Sequence, residues 1–589
     1  MSTGLKDVLT IIGVAVLVFF TNLGSYPLFD EDEPKNAVCG KEMFARGDWI
    51  VPTFNEELRT DKPILIYWLM LTSFNLFGVS EFAARFGSSV LSVGTCLGTY
   101  YLGRKLYDRQ VGLLAGIVVA TCLMFSAVGR AVTPDATLVC CLTWVFCFFV
   151  MSRNQPAARA RDDKSKPLAG AAGWWIAMYA MMGFAMLAKG PVGFVLPCMA
   201  IGLFGLCSSV RDDLAAGVVT LGDGPWWRKT MRMALLIASP ARFFRTLWSM
   251  KLWIGVPVAF GIALPWYIAV GFQTNGEWPL GFLVKHNLER ATTAMENHRG
   301  LFIYYIPVLF AGTFPWSVFL PSAVMSVWRR VRDRAERSDG DLFLACWAVV
   351  WLALFSAAQT KLPNYILPIY PAVAIMLSRS LISWMRELAV GERRFLWECR
   401  ALASIGGLMV VGLLMAMTIL LPNEQALALF GVIPMAAGGC AYYFARHQQR
   451  ERAVLSLAGG AIMLCVGMMG FAPVQIARYQ DSPFFAAAAR DASPFGNAEI
   501  ASFDVFEPSL VYYHGRKVHR PGEADHVAQY FADYPEGFLL TRSDKLHRLP
   551  TELTDGLVEV ARQKRFLRRH DLVLLSKPTV LAAGHRETQ

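Results

Sequence analysis

Carboxylates, cations and histidines recur in the loops between the apolar segments of this sequence. The first cluster, Asp30-Glu31-Asp32-Glu33, follows at once on the apolar run 8–28. A single Asp at the centre of a bilayer costs about 3 kcal/mol, so four neighbouring carboxylates must lie at the water boundary. The cluster therefore lies at the membrane surface, at the entrance to any site that the later helices form.

Loops predicted on the same side of the membrane carry further groups able to do chemistry. They are the carboxylates Asp61 and Asp135, the cations Arg59, Lys62, Arg130, Arg290 and Lys361, the phenol Tyr365, and the histidines His286 and His298. Lys and Arg hold phosphate and stabilise the charge of a departing lipid phosphate. A carboxylate beside them takes the proton from an attacking hydroxyl as a general base. The set favours group transfer from a lipid that carries a phosphate.

Each group also has a structural interpretation. The acidic cluster could simply end the first apolar segment, and Lys62 could reach the interface at a helix start. Arg130 with Asp135 could be an ordinary interfacial ion pair. A loop histidine is more often a surface residue than a ligand, so His286 would bind metal only together with an acid. Lys361 points more strongly to function, because a positive charge in an outer turn opposes the positive-inside rule.

The composition indicates a membrane protein. Of 589 residues, 55% are hydrophobic and 17% are charged, whereas soluble proteins carry about a quarter charged residues. The formal charge of +11 does not indicate nucleic-acid binding, because the surplus lies in short loops between apolar runs. The 12 cysteines fall almost wholly in those runs and predict no disulfide framework.

Apolar runs near 20 residues are long enough to cross about 30 Å of hydrocarbon, and we predict about thirteen of them. They are 8–28, 84–103, 111–128, 136–152, 172–188, 191–209, 252–271, 305–326, 342–358, 364–384, 401–421, 427–445 and 453–473. Alternate loops are basic, which predicts a cytoplasmic N-terminus.

The predicted membrane domain is 1–474, and an odd number of spans places 475–589 on the outer side. Strand-like runs predict a small soluble α/β domain there; they are 499–503, 510–513, 537–541 and 572–575. The first outer loop, 29–83, is too long for a connector. It is predicted to hold interfacial helices at 34–46 and 63–70, the second being too short to cross a bilayer.

Several motifs, in this order along the chain, resemble those of one family. They are Asp32-Glu33-Pro34-Lys35-Asn36-Ala37, Asp61-Lys62-Pro63, Glu81-Phe82-Ala83-Ala84-Arg85, Arg130 with Asp135, His286-Asn287-Leu288-Glu289-Arg290 and Lys361-Leu362-Pro363-Asn364-Tyr365. The family is that of the lipid A aminoarabinose transferases, membrane glycosyltransferases of the GT-C fold that use polyprenyl-phosphate sugars and are akin to protein O-mannosyltransferases. The resemblance implies an all-α polytopic membrane protein with a periplasmic α/β C-terminal domain.

The resemblance also implies an activity: transfer of a sugar, with inversion, from an undecaprenyl-phosphate carrier. The acceptor would be a hydroxyl or phosphate of lipid A, another envelope glycan or a protein, on the periplasmic side of a bacterial inner membrane. We expect membrane lipids as partners, no nucleic acid, and a monomer. Lys35 and Asn36 stand where the family usually has Arg-Tyr, and Asp61 replaces Glu. The sugar and the metal therefore do not follow from the resemblance.

Residue roles carry over position by position. Asp32 takes the place of the family's essential first-loop Asp, with Asp30 as its substitute, and Asp135 that of a second important carboxylate. Lys62 matches the lysine for the carrier phosphate. The remaining donor-binding candidates are Arg59, Arg130, Arg290, Lys361 and Tyr365. Asp61 and His286 would hold a divalent metal ion, zinc or magnesium, and His514 is a candidate for the third ligand in the C-terminal domain.

A lipid or glycan transporter, or flippase, is the alternative function. It would place charged residues well inside the spans, facing a midplane site, and would use paired broken helices. The mid-span residues of this chain are overwhelmingly apolar, and the candidate groups gather at one face. No Walker loop or GxGxxG motif occurs on the inner side, so we do not expect a nucleotide donor.

Overall fold

The computed structural model describes residues 2–29, 31–153, 172–222, 225–284, 300–332, 338–386, 391–493, 496–565 and 568–578. The chain divides into two units. The first unit comprises Met1–Thr21, Thr60–Ile66 and Gly87–Gly470. The second unit comprises Asn22–Arg59, Tyr67–Phe86 and Phe471–Gln589.

Helices make up most of the described chain. In order they are α1 (Thr3–Phe20), α2 (Asp32–Arg46), α3 (Leu65–Phe77), α4 (Glu81–Leu106), α5 (Arg109–Ala120), α6 (Leu123–Val128), α7 (Pro134–Arg153), α8 (Ala172–Lys189), α9 (Val192–Ala215), α10 (Trp226–Ile237), α11 (Pro240–Ser249), α12 (Leu252–Gln273), α13 (Glu277–Leu280), α14 (Tyr305–Gly312), α15 (Leu320–Arg332), α16 (Asp339–Ala357), α17 (Tyr370–Arg386), α18 (Glu392–Leu420), α19 (Val432–Arg446), α20 (Arg450–Val466), α21 (Ala472–Ile476), α22 (Asp481–Ala492), α23 (Pro508–His514), α24 (Ala524–Asp533) and α25 (Thr551–Thr554). A 3₁₀ segment, Pro363–Ile369, leads directly into α17.

Strands are few and short in the described chain. They are β1 (Thr53–Phe54), β2 (Glu57–Leu58), β3 (Ile500–Phe503), β4 (Val518–His519), β5 (Phe538–Arg542), β6 (Val558–Lys564) and β7 (Asp571–Ser576).

By length and composition, nine of the described helices are able to cross a membrane. A tenth results if Phe302–Gly312 and Trp316–Arg332, which meet at 118°, form one broken span. The remaining predicted spans are also helical, at α4, at α5 with α6, and at α8. Every predicted span therefore contains helix, and the chain is a multi-pass membrane protein of the predicted all-α class.

Close helix packing in the first unit depends on small residues. A Cβ atom on Gly112 of α5 would lie 2.6 Å from the carbonyl oxygen of Tyr100 in α4. This is closer than van der Waals contact, so a larger residue here would force the two helices apart. Such small-residue contacts are a common way for helices to approach in lipid, where no hydrophobic force drives them together. Most residues of helix α7 are buried in the protein.

The second unit contains a sheet with the order β4-β3-β5-β7-β6. Strand β3 is parallel to β4 and β5, whereas β7 is antiparallel to β5 and β6. Its core includes Phe503, Phe531 and Leu539. The predicted strands at 499–503, 537–541 and 572–575 are confirmed.

The predicted strand at 510–513 is wrong, because this segment is the helix α23. Pro508 occupies its first turn, where the missing N–H costs nothing, and Gly515 follows its end with φ of 80°. A short apolar run cannot distinguish strand from helix, and the flanking Pro and Gly decide here. Both predicted helices of the first outer loop are present, as α2 and α3.

Candidate active site

One cavity of the first unit brings together groups from separate loops of the sequence. It has a volume of about 420 Å³. Its described polar lining consists of Asp61, Lys62, Asp135, Lys189, Thr360, Asn364 and Tyr365. Trp351, Leu354 and Phe355 form part of an apolar wall. This space, called the Asp135 cavity below, is therefore lined by charged and polar groups together with an apolar face of α16.

The carboxylate of Asp135 is held from two sides. Lys189 donates a hydrogen bond to Oδ1, and Asn364 Nδ2 donates to Oδ2 at 2.8 Å. Asp135 lies in the first turn of α7 and Lys189 is the last residue of α8. The helix dipole favours an acid at the first position and a cation at the second. The ends of α7 and α8 thus orient the pair before any ligand arrives.

Charge in the cavity is balanced rather than uniformly positive. The described lining has two lysines and two aspartates. Asp135 is 4% exposed, so its negative charge depends on Lys189 and Asn364 for compensation. The Lys189 ammonium also lies 5.2 Å from the centroid of the Tyr365 ring. A ligand with both a phosphate and a polar head would meet complementary groups of both signs.

Two predicted donor-binding cations are absent from the described lining of this cavity. Each donates hydrogen bonds to the carbonyl groups at the end of a helix instead. Arg130 donates to the carbonyls of Val18 at 2.7 Å and Thr21 at 2.6 Å, at the end of α1. Lys361 donates to the carbonyls of Phe355, Ser356 and Ala358, at the end of α16, at 2.9, 2.6 and 2.6 Å. Donor contact by either cation stays a prediction.

Arg59 lies in the second unit and is 7% exposed. Its Nη1 is 3.3 Å from the Cys39 sulfur, and its guanidinium lies 5.9 Å from the centroid of the Phe54 ring. Arg290, His286 and Asp30 lie outside the described residues. Their predicted roles stay predictions.

The acidic cluster contains carboxylates in different environments. Glu33 is buried and forms a bidentate pair with Arg85, at 2.7 and 2.9 Å. Glu31 pairs with Lys35 at 3.3 Å on the surface. Asp32 begins α2 and is half-buried, and it forms no ion pair with any residue that the structure describes. Of the described carboxylates in this cluster, Asp32 is the one left available for chemistry.

A metal site is not assembled by the part of the chain that the structure describes. It holds no group of three or more His, Cys, Asp and Glu side chains that could bind a metal ion. Asp61 lines the Asp135 cavity, but its predicted co-ligand His286 lies outside the described residues. Burial lowers the pKa of His514 to about 4, with Arg516, Arg490 and Lys41 adding to the shift. These positive neighbours disfavour a cation at His514.

Lys189 is the functional candidate that sequence reasoning missed. It lies in the short connection between two predicted spans, on the same predicted side as Asp135. Like Lys361, Lys189 is a positive charge in a predicted outer turn, which opposes the positive-inside rule and favours function. Distance along the sequence concealed the pairing, because 54 positions separate Lys189 from Asp135.

Comparison with known proteins supports the predicted resemblance. The dolichyl-phosphate-mannose-protein mannosyltransferase family matches residues 61–222. The chain is 31% identical over 354 residues to the undecaprenyl phosphate-alpha-4-amino-4-deoxy-L-arabinose arabinosyl transferase of Erwinia tasmaniensis, covering 60% of this chain and 55% of that protein. The corresponding transferase of Enterobacter sp. is 30% identical, with 64% of this chain and 60% of that protein covered. The chain thus matches less than two thirds of the length of these relatives.

Solved structures show the fold over nearly the whole chain. ArnT from Cupriavidus metallidurans, bound to undecaprenyl phosphate, has a TM-score of 0.70 at 21% identity, with 98% of both chains covered. The Archaeoglobus fulgidus oligosaccharyltransferase has a TM-score of 0.52 at 11% identity, covering 92% of this chain and 70% of that one. The chain therefore resembles the aminoarabinose transferases in sequence and has their GT-C fold.

Proposed function

We propose that this chain is an integral membrane glycosyltransferase that moves a sugar from an undecaprenyl-phosphate carrier to an acceptor, with inversion at the anomeric carbon. The observation that carries this proposal is the Asp135 cavity, where Lys62 and Lys189 lie beside an apolar wall. A polyprenyl phosphate has the same two parts, an anion and a hydrocarbon chain. The similar protein from Cupriavidus metallidurans binds undecaprenyl phosphate.

The lysines of the Asp135 cavity would act on the leaving group. Their ammonium groups stabilise the charge that develops on the carrier phosphate as the bond from the sugar to the phosphate oxygen breaks. Asp135 is a positioning residue in this scheme, because it holds Lys189 through a direct ion pair. Trp351, Leu354 and Phe355 would contact the first isoprene units.

Asp32 is the proposed base for an acceptor hydroxyl. Its carboxylate would accept the hydroxyl proton while the oxygen attacks the anomeric carbon from the side opposite the departing phosphate. If the acceptor is instead a phosphate that is already ionised, Asp32 would only orient it. This role rests on the match of the first-loop motif and on the availability of the side chain at the start of α2.

The proposed sugar is an aminopentose. The relatives carry 4-amino-4-deoxy-L-arabinose in their names, and we therefore expect the donor to be undecaprenyl-phosphate aminoarabinose. Lipid A, another envelope glycan or a protein remains the proposed acceptor, on the periplasmic side of a bacterial inner membrane. A divalent metal ion held by Asp61 and His286 is a further part of the proposal, and its removal by EDTA would lower transfer.

Sugar transfer tests this proposal directly. Purified protein in lipid is given radiolabelled undecaprenyl-phosphate aminoarabinose or mannose together with envelope extract. Wild type should transfer aminoarabinose, Asp32→Asn should lose transfer by at least about 100-fold, and the matched control Glu31→Gln should retain it. Donor lipid that moves between leaflets without any sugar transfer would overturn the proposal in favour of a flippase.

A further inference from the structure

A second cavity of the first unit lies at the opposite ends of α16 and α17 from the Asp135 cavity. The Asp135 cavity contacts Ala357 and Pro368, whereas the second cavity contacts Ser338 and Arg379. Helix α16 has 19 residues and is therefore about 28 Å long, close to the thickness of a hydrocarbon core. The two cavities thus face opposite leaflets. The second has a volume of about 890 Å³ and is called the Arg329 cavity.

Arginine and serine dominate the polar lining of the Arg329 cavity. The described arginines are Arg329, Arg330, Arg379 and Arg394. The serines are Ser322, Ser326, Ser338, Ser380 and Ser383, and Glu398 is the carboxylate of the described lining. Phe319, Trp384 and Phe395 contribute an apolar wall. The lining therefore has an excess of positive charge, many hydrogen-bond donors and an apolar side.

Two of these arginines are fixed in place by a buried acid. Asp341 is fully buried and accepts hydrogen bonds from Tyr107 Oη and Arg330 Nε, each at 2.8 Å. Arg379 Nη1 is also 2.8 Å from Asp341. Arg330 Nη2 is buried and has no hydrogen-bond partner among the described residues. Asp341 therefore holds the guanidinium groups of Arg330 and Arg379 in place before a ligand binds.

The other two arginines are accessible. Arg329 is exposed and pairs with no carboxylate that the structure describes. Arg394 lies 3.5 Å from Glu398 and is 47% exposed. Trp328 and Trp397, on the same helices α15 and α18, are 62% and 66% exposed. Exposed Trp at helix ends is typical of the headgroup level of a bilayer, so the cavity opens at that depth.

We propose that the Arg329 cavity binds the phosphate headgroup of an anionic membrane lipid, in the leaflet opposite the Asp135 cavity. Guanidinium forks and serine hydroxyls are donors that suit phosphate oxygens. The apolar wall would contact the start of the acyl chains. A soluble phosphate ester would contact the hydrogen-bond donors but has no hydrocarbon part to cover the apolar wall. It also would not be concentrated at the headgroup level, where the cavity opens. This binding does not depend on the proposed transfer reaction.

Native mass spectrometry of the full chain in detergent tests this site, with titrations of phosphatidylglycerol, phosphate-free diacylglycerol and glycerol 3-phosphate. The test variant is Arg329→Gln with Arg394→Gln. Both side chains are exposed, so the fold should persist, and an unchanged melting temperature without lipid verifies this. Arg393→Gln is the matched control, because Arg393 is exposed in the same turn of α18 but is absent from the described cavity lining.

Wild type and Arg393→Gln should bind phosphatidylglycerol equally and in preference to diacylglycerol. The double variant should bind it more weakly, by about fivefold for each arginine removed. Equal weakening in the Arg393→Gln control would overturn the site, because a diffuse surface charge would then explain binding. Saturable binding of glycerol 3-phosphate with the same arginine dependence would overturn the lipid as the ligand.

Discussion

Lys189 shows how one side chain links the geometry of the Asp135 cavity to its charge. The Lys189 ammonium neutralises the carboxylate of Asp135, a residue that is 4% exposed. The same ammonium lies over the ring of Tyr365. Removing one partner of a buried ion pair leaves the other charge uncompensated, which costs about 3 kcal/mol or more.

Lys189→Met should therefore lower the melting temperature more than the double variant Lys189→Met with Asp135→Asn. Both variants should lose sugar transfer, because neither presents the positioned ammonium. A thermal-stability cycle in detergent measures the first effect, and the transfer assay measures the second. If the single variant is as stable as the double one, the Asp135–Lys189 pair is not the electrostatic unit described above.

Lys62 is the second lysine in the described lining of the Asp135 cavity. Lys62→Ala should weaken binding of undecaprenyl phosphate by about tenfold or more, because one charge-assisted contact to phosphate is worth about 1.5–3 kcal/mol. Lys105→Ala, at the exposed end of α4, is the control and should bind normally. Equal affinity in all three proteins would remove Lys62 from the donor site.

Helix ends explain several of the charged residues at the element scale. The last carbonyls of α1 and α16 have no partner within their own helices and are satisfied by Arg130 and Lys361. Arg130 and Lys361 therefore stabilise the ends of these two helices, independently of any contact with the sugar donor.

Lys361→Met should lower the melting temperature, because the half-buried carbonyls at the end of α16 lose their charged donor, at about 1 kcal/mol for each hydrogen bond lost. Lys361→Arg should retain most of the stability. Differential scanning fluorimetry in detergent makes the comparison. A Lys361→Met variant that melts like wild type but no longer binds undecaprenyl phosphate would assign Lys361 to the donor site alone.

The helix α23 carries a pH-dependent group. The pKa of His514 is lowered from its ordinary value of about 6.5 to about 4 by burial, with Arg516, Arg490, Lys41 and His519 adding to the shift. Between these two values the unfolded chain binds a proton that the folded chain does not. Stability should therefore fall as the pH decreases through this window.

The comparison that checks this effect uses His514→Gln and the control His526→Gln, which replaces an exposed histidine of α24. Melting temperatures at about pH 7 and pH 5 should fall less for His514→Gln than for wild type. His526→Gln should follow wild type. The same pH dependence in all three proteins would contradict the assigned pKa.

Elements were predictable from sequence where the membrane imposes a constraint. In lipid every backbone polar group must be satisfied within the segment, so a long apolar run has to be helical. The short runs of the second unit carry no such constraint, and 510–513 was accordingly assigned to the wrong class. Asp61, Lys62, Asp135 and Tyr365 were predicted and do share a cavity, because the alternation of spans places their loops together.

The rest of the site required three-dimensional structure. Nothing in the sequence distinguishes Lys361, which satisfies a helix end, from Lys189, which pairs with Asp135, because both are cations in short outer turns. Likewise the sequence of the acidic cluster does not show that Glu33 forms an ion pair with Arg85, whereas Asp32 forms none with the described residues. Which partner a charge meets is decided by packing between distant segments.

Orientation is the property of the whole molecule on which the proposed periplasmic chemistry depends. In a Cys440→Ser background, which removes the exposed cysteine of the described chain, single cysteines are introduced as Ser2→Cys and Thr551→Cys. A membrane-impermeant maleimide should label Thr551→Cys in cells with a permeabilised outer membrane. Ser2→Cys should react only after the inner membrane is opened. The reverse result would contradict the orientation predicted from the basic loops, and with it the periplasmic placement of the proposed chemistry.

We propose above that the Asp135 cavity holds the phosphate of a polyprenyl carrier. A cryo-electron microscopy structure of the full chain with undecaprenyl phosphate tests it most directly. The phosphate should lie within hydrogen-bond distance of Lys62 and Lys189, with the isoprenoid chain along Trp351, Leu354 and Phe355. A lipid phosphate bound elsewhere, with the Asp135 cavity unchanged, would contradict the assignment of this cavity to the carrier.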